Sequence, residues 1–278
     1  MKRISFLFFV ISMLVFTSCR DSFRDNDRDT SSAKSYAISE HYFSDPYLWV
    51  NKLLVNPMPT KDTMIYLDSA EECINNIQIT PYPKLGYTDL TISFDENATC
   101  FDGRVRKGEI NARVWGSYKT TGTRLSIKSN VYFINDFRVI VNDSLENLGR
   151  DADSGLVFSS RIRNGVIDGD SIYVEWDANH EYTWSSGEKT LVYHDDEFSI
   201  TGNVRSRTFN GNTISADIIE PLLRDLGCFW ITAGTVEMKP ENLLVRYLDF
   251  GDGKYCENDF DVTISQSKQT IAIDDAGY

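Results

Sequence analysis

Two segments of this sequence resemble each other, and each is bracketed by cysteines: CINNIQITPYPKLGYTDLTISFDENATC and CFWITAGTVEMKPENLLVRYLDFGDGKYC. Cysteine to cysteine is 27 positions in the first and 28 in the second, and in both a Phe (Phe94, Phe250) stands six residues before the closing cysteine. Each segment holds a run of β-forming residues, a Pro-containing turn and a second such run. That is the form of a β-hairpin with a cysteine on either side of its open end. Four cysteines permit three pairings. The hairpin geometry makes the local ones, Cys73 with Cys100 and Cys228 with Cys256, the short ones in space. Closing loops of this size stabilises by roughly 3 to 4 kcal/mol each in the chain-entropy account. A metal site built from the same thiols needs CxxC or Cys/His spacing, which is absent.

Disulfides imply an oxidising compartment, and the start of the chain agrees. MKRISFLFFVISMLVFTSC joins a short basic start to an apolar run from Ile4 to Phe16, the pattern of a signal peptide. The run is too short for a membrane span of about 20 residues. Phe16-Thr17-Ser18-Cys19 resembles a bacterial lipobox, with residues 1–18 as the leader and Cys19 as the lipidated residue. Ordinary cleavage nearby, with Cys19 incidental, is the plainer alternative. Residues 19–34 are polar, dense in Asp and without a hydrophobic period, so they read as an acidic flexible tether.

The chain carries 28 Lys and Arg against 41 Asp and Glu, a formal charge of −13. Loss of Lys2 and Arg3 with the leader takes it to −15. Nucleic acid and anionic lipid are therefore disfavoured as partners, because phosphate binding draws on Lys/Arg clusters. Membrane attachment is expected to come from a lipid on Cys19.

Residues 35–72 begin with aromatics and aliphatics at loosely helical spacing, interrupted by Pro46, and predict one or two short helices. From Cys73 to the C-terminus the pattern is period-2 alternation of Val, Ile, Thr, Tyr and Phe, broken every ten or so residues by Gly, Asn or Asp. Residues 73–278 thus read as one antiparallel all-β domain, a large meander forming a curved sheet, a sandwich or a barrel-like body. The expected strands are 74–80, 88–95, 108–118, 124–134, 137–142, 155–164, 170–184, 197–208, 213–221, 229–239, 244–250, 260–265 and 269–273. Turns are expected at Asn135-Asp136, Asp168-Gly169, Asn210-Gly211 and Pro240-Glu241-Asn242. Asn210-Gly211 is the most specific, since a type I′ turn needs two residues tolerant of positive φ.

Several pieces in order, CINNIQIT, LTISFDENATCFDGRVRKGEI, GSYKTTGTRLSI, DDEFSITGNV, GCFWITAGTVEM and LDFGDGKYC, together with the lipoprotein start, resemble a widespread group of uncharacterised putative lipoproteins of the Bacteroidetes. The likeness covers most of residues 73–264. It implies a secreted, lipid-anchored β protein without an established activity. The acidic stretch behind Cys19 is similar to the signal that sends such lipoproteins to the outer face of the outer membrane, so an outer-membrane lipoprotein is expected, on the periplasmic or the surface-exposed side. The chain departs from the group at Glu96 and Phe229, positions that bear on turns.

Candidate chemistry is sparse. Asp249-Phe250-Gly251 matches a kinase triplet, yet the Gly-rich loop, strand lysine and catalytic loop that kinase chemistry needs are missing. Asp249, Asp252, Glu257 and Asp259 are the candidate calcium ligands, without EF-hand spacing. No cofactor is expected. None of His41, His180 and His194 sits in an HExxH motif, and no GxSxG elbow exists; Ser185-Ser186-Gly187 reads as a hairpin tip. Residues 102–108, DGRVRKG, are the densest basic run, either an anion-binding loop or a turn whose arginines pair with neighbouring carboxylates. Trp115, Tyr118, Tyr132, Tyr173, Trp176, Tyr182 and Trp184 lie on β-like runs; most should face a core, while an exposed row would suit sugar rings or a protein surface. The expectation is a lipid-anchored, non-enzymatic structural or binding module of the cell envelope, with a glycan or an envelope protein as partner. A carbohydrate-binding surface lipoprotein and a secreted hydrolase with an unrecognised carboxylate site are the alternatives.

Overall fold

The computed structural model describes residues 27–55, 58–66, 73–95, 99–153, 155–170, 172–208, 211–228 and 230–273. The leader, Cys19, Glu96, Asn210 and Phe229 lie outside them. Among the described residues one helix, α1 (Ser31–Leu54), precedes fifteen strands that form one antiparallel sheet.

The first strands are β1 (Thr63–Tyr66), β2 (Ile74–Tyr82), β3 (Tyr87–Phe94), β4 (Arg106–Trp115), β5 (Arg124–Ser129) and β6 (Tyr132–Ile134). The middle of the sheet is long: β7 (Phe137–Arg150), β8 (Leu156–Asp168), β9 (Tyr173–Ser186), β10 (Glu197–Thr208) and β11 (Thr213–Asp225). It ends in β12 (Ile231–Pro240), β13 (Arg246–Asp252), β14 (Asp259–Ile264) and β15 (Ser267–Ala272). Strands follow one another in sequence order across the sheet, except that β5 pairs β4 and β7 and the short β6 stands off this path, pairing the same two strands. The fold is the expected all-β meander.

A twisted sheet of this many strands must curl, and here it curls around α1. The helix is buried on every side, with Ala33, Ala37 and Val50 at 0 % exposure and Tyr36, Phe43, Tyr47 and Trp49 at 4 % or less. Its aromatic partners come from strands spread around the sheet. Trp49 meets Phe94 of β3, Tyr42 meets Phe137 of β7, Tyr47 meets Phe158 of β8, Tyr182 of β9 and Phe198 of β10, and Phe43 stacks on Trp176 of β9. At Gly165 in β8 an added Cβ would lie 2.7 Å from the Phe43 ring, so only glycine admits this approach. A helix apolar over most of its circumference has its stable place in such an interior.

The helix is longer than its sequence suggests. Pro46 sits inside it, and a proline in a helix interior costs about 3 kcal/mol when the helix is exposed, because it has no N–H to donate and its ring crowds the preceding turn. Enclosure by the sheet overrides that local preference, so α1 is one unbroken element where one or two short helices were expected. The tether is also shorter than expected. Residues 31–34 belong to α1, Asp29 accepts the Ser31 N–H at 2.9 Å, and Asp27 accepts from the buried Arg246 side chain at 2.7 Å.

Most strand ends differ from the expected ones by a few residues, and three differences are larger. The expected strand 124–134 is broken at Asn130-Val131 into β5 and β6. At this break β4 exchanges one partner for the other, and Gly108 (φ +86°) makes room for the Val131 carbonyl. The expected strand 137–142 runs on to Arg150 as β7, because Asp143 and Asn147 occupy inward positions and disguise the alternation. β1 was not expected at all. Both expected disulfides are present, Cys73–Cys100 and Cys228–Cys256, and Phe94 and Phe250 both face the core.

Candidate functional site

Polar groups converge at two places, one inside the roll and one outside it. The inner one is built on α1. Asp45 accepts two hydrogen bonds from the Arg106 guanidinium (Nη2–Oδ1 2.6 Å, Nε–Oδ2 3.2 Å) and one from the Tyr132 hydroxyl. Arg106 also donates to both oxygens of Asp102, at 2.6 and 2.8 Å, and Asp102 accepts from Arg104 at 3.1 Å. Burial disfavours the Asp102 charge, but Arg106 and Arg104 outweigh it and hold the carboxyl at about 2. Burial likewise works against the Arg106 charge, and Asp45, Tyr132 and Asp102 keep its pKa well above the ordinary value. The basic run 102–108 is therefore a turn whose arginines pair with carboxylates.

One turn earlier on the helix, His41 Nδ1 lies 2.7 Å from Arg224 Nη1 of β11, and Glu40 lies 3.5 Å from His180 of β9. Burial, with Arg224 and Arg104 nearby, pushes His41 well below its usual range. The neutral ring therefore accepts the Arg224 proton. Arg246 of β13 binds Ser32 at 2.8 Å, and Tyr118 links Tyr47 (3.1 Å) to Asn51 (2.5 Å). These groups fix α1 to strands on every side of the roll. Around Asp45, Asp102 and Arg224 the remaining hollow is about 20 Å³, room for one water. The inner cluster is a set of structural pins.

The outer face is arranged differently. Alternation turns Arg113 and Trp115 of β4 outward while Ile110, Ala112 and Val114 face the helix. On β3 the outward residues are Tyr87 and Asp89. Arg113 forms a bidentate pair with Asp89 (2.6 and 2.9 Å) and lays its guanidinium 4.0 Å from the Tyr87 ring centroid. Tyr82 and Tyr87 stand 4.9 Å apart, and Trp115 is edge-on to Tyr87 at 6.2 Å. A row of three aromatic rings, Tyr82, Tyr87 and Trp115, is thus aligned by a locked arginine.

Beside that row the sheet carries short side chains. Ser126 of β5 pairs across the ladder with Ser144 of β7, and Ser159 of β8 lies opposite Glu146. Small residues between longer ones make a trough with two lobes, of about 570 and 430 Å³, both lined by Trp115 and Ser126. Arg124 and Arg161 stand along the larger lobe and Lys128 along the smaller. A larger groove of about 920 Å³ crosses β8 to β12, but the Trp176 on its wall turns its ring inward at 2 % exposure, and Arg207 and Lys239 are paired with Glu175, Asp217 and Glu237.

Of the seven aromatics singled out in the sequence, Tyr118, Tyr132, Trp176, Tyr182 and Trp184 are buried, and Trp115 and Tyr173 are partly exposed. Tyr82, Tyr87 and the cations of the trough were not anticipated. The signal that could have found the cations is the alternation itself, since Arg124, Lys128 and Arg161 each adjoin a buried aliphatic, whereas Tyr82 and Tyr87 are the end residues of β2 and β3. Asp249 and Asp252 are on β13, where Asp249 accepts the Gly251 N–H at 3.0 Å and Asp252 pairs with Lys254. Glu257 is exposed and Asp259 begins β14. These four carboxylates line one cleft of about 320 Å³ together with Asp261, but among the described residues no three His, Cys, Asp or Glu side chains meet in a way that could hold a metal ion. His194 packs its ring against Phe101 and Tyr193, and Ser185 donates to Glu197. Against known proteins, no family model, no curated sequence and no solved structure matches this chain.

Proposed function

We propose that this protein is a non-enzymatic binding module of the bacterial cell envelope, anchored to the outer membrane through a lipid on Cys19, and that the trough on β3 to β8 binds saccharide. The observation that carries this reading is the outward row Tyr82, Tyr87 and Trp115 beside a floor of serines. Aromatic faces stack on the apolar faces of sugar rings, while hydroxyl, carboxylate and guanidinium groups nearby answer the sugar hydroxyls. Lobe volumes of this size are in the range of ligand pockets. The buried pins hold the sheet, and so the row, in one shape before any ligand arrives, which lowers the ordering cost of binding.

Affinity electrophoresis of the full chain in gels containing a panel of polysaccharides tests the reading. Migration is retarded in at least one gel for the parent and restored by Trp115→Ala. Equal migration of parent and variant in every gel would end it. The anchor is tested separately by incorporation of labelled palmitate in a bacterial host, expected for the parent and absent in Cys19→Ala.

A further inference from the structure

We infer that the trough selects acidic saccharides, those bearing a carboxylate or sulfate, with the anionic group held between Arg124 and Arg161 and a sugar ring laid on Trp115. This rests on the saccharide reading above and adds the charge of the ligand. Arg113 spends its donors on Asp89, and elsewhere on the outer face Arg150 is paired with Glu188 and Lys268 with Asp261. Single exposed cations elsewhere, such as Lys84 and Arg205, have no partner either among the described residues, but in the trough three stand together. Among the described residues the side chains of Arg124, Lys128 and Arg161 make no hydrogen bond or ion pair, and all three are exposed. The acids of the two lobes are Asp89, already bound to Arg113, and Glu146.

Three unpaired cations against one free carboxylate form a positive island on a chain whose formal charge is −13. An acidic ligand is repelled by much of this surface and attracted where these cations cluster, which orients it as well as binding it. The spacing fits a saccharide better than a lone ion. Arg124 lies on β5 and Arg161 on β8, two ladder steps apart and two residues out of line, roughly 12 Å by the usual strand geometry. Trp115, Arg124, Glu146 and Ser159 face one another along one line of the ladder, and Ser126, Ser144 and Arg161 along the next. Ring face, hydroxyls and anionic group can therefore each meet a matching group across two adjacent lines, Trp115 and Arg124 on one and Ser126, Ser144 and Arg161 on the other. Guanidinium also suits the planar carboxylate of a uronic acid, which it grips with two donors.

The full chain on an array of neutral, uronate-bearing and sulfated saccharides reads the inference, followed by calorimetric titration of the retained ones. Acidic saccharides are expected to bind, with affinity falling at least tenfold in Arg124→Ala/Arg161→Ala and in Trp115→Ala, and weakening as salt is raised from 50 to 500 mM. All these positions are exposed or half-exposed, so the variants should melt with the parent. Neutral saccharides bound equally by the parent and the double variant would overturn the charge selection and leave the saccharide reading standing. Inorganic sulfate bound as tightly as a sulfated saccharide, with no loss in Trp115→Ala, would reduce the trough to a simple anion site and overturn both. A blank array also overturns both.

Discussion

The inner and outer faces of the sheet use the same residue types for opposite ends. Arginine on the inside, as at Arg106, is fully buried, bonded to two carboxylates and fixed between a helix and a strand. Arginine on the outside is either clamped flat against a ring, as at Arg113, or left with its donors free, as at Arg124 and Arg161. The difference lies in desolvation. A charge taken out of water must be answered in full by the protein, whereas a charge at the surface is already answered by solvent and can be lent to a ligand.

The sharpest way to break this comparison is to truncate one arginine from each face. Arg106→Ala leaves Asp45 buried without its cation and Asp102 with Arg104 alone, and should cost roughly 3 to 5 kcal/mol in urea unfolding, enough to threaten folding outright. The same substitution at Arg113 removes an exposed pair and should cost under about 1 kcal/mol. Similar losses at both positions would mean that the inner network is far wetter than its packing implies.

A second effect, nearly as large, depends on pH. Asp143 faces inward on β7, where it accepts from the Ser160 hydroxyl and the Arg161 N–H, and burial raises its carboxyl to about 7. Because the folded pKa lies above the unfolded one, this contribution to stability is full below about pH 4 and is lost as pH rises through about 7. Asp143→Asn keeps an acceptor for both donors and removes the titration. The variant should match the parent near pH 4 and exceed it at pH 8 by up to about 4 kcal/mol. Urea midpoints measured across that range that stay parallel would show that Asp143 titrates normally. Trp184 donates to Asp196, raised to about 6 by burial, which adds a slope of the same sign that survives the substitution.

The smallest effect sharpens the contrast from the outer side. Trp115→Ala exposes no core and leaves no buried charge, so its melting temperature should fall within a degree or two of the parent. A drop of ten degrees would place Trp115 among the structural residues and weaken its role in the trough.

Much of the architecture was legible from the sequence because alternation is a strong signal wherever inward positions are apolar. β10 was read with its observed boundaries, and the two cysteine hairpins were read with their pairings. Where polar groups point inward the signal failed. β7 was cut short at Asn142 because Asp143 and Asn147 hide its continuation. The helix was split at Pro46 because its enclosure is a property of the whole roll, built from strands more than a hundred residues away. Asp45 and Arg106 are 61 positions apart and His41 and Arg224 are 183 apart, so no local pattern pairs them. The trough was half legible. Trp115 stood out, but its outward face depends on the register of Ala112 and Val114, and the emptiness of Arg124 and Arg161 depends on which acids the ladder brings near.

The helix inside the roll also sets how the protein carries load. Tension applied to the chain ahead of Asp27 arrives first at the Arg246 clamp, then runs along a rod fastened to β13, β9, β11 and β4 through Ser32, Glu40, His41 and Asp45. A pull on this end is shared among strands in parallel. None of them can be peeled away alone, as the end strand of a sheet would be. A body hung from its own axle in this way resists being dragged apart by whatever its outer surface has gripped.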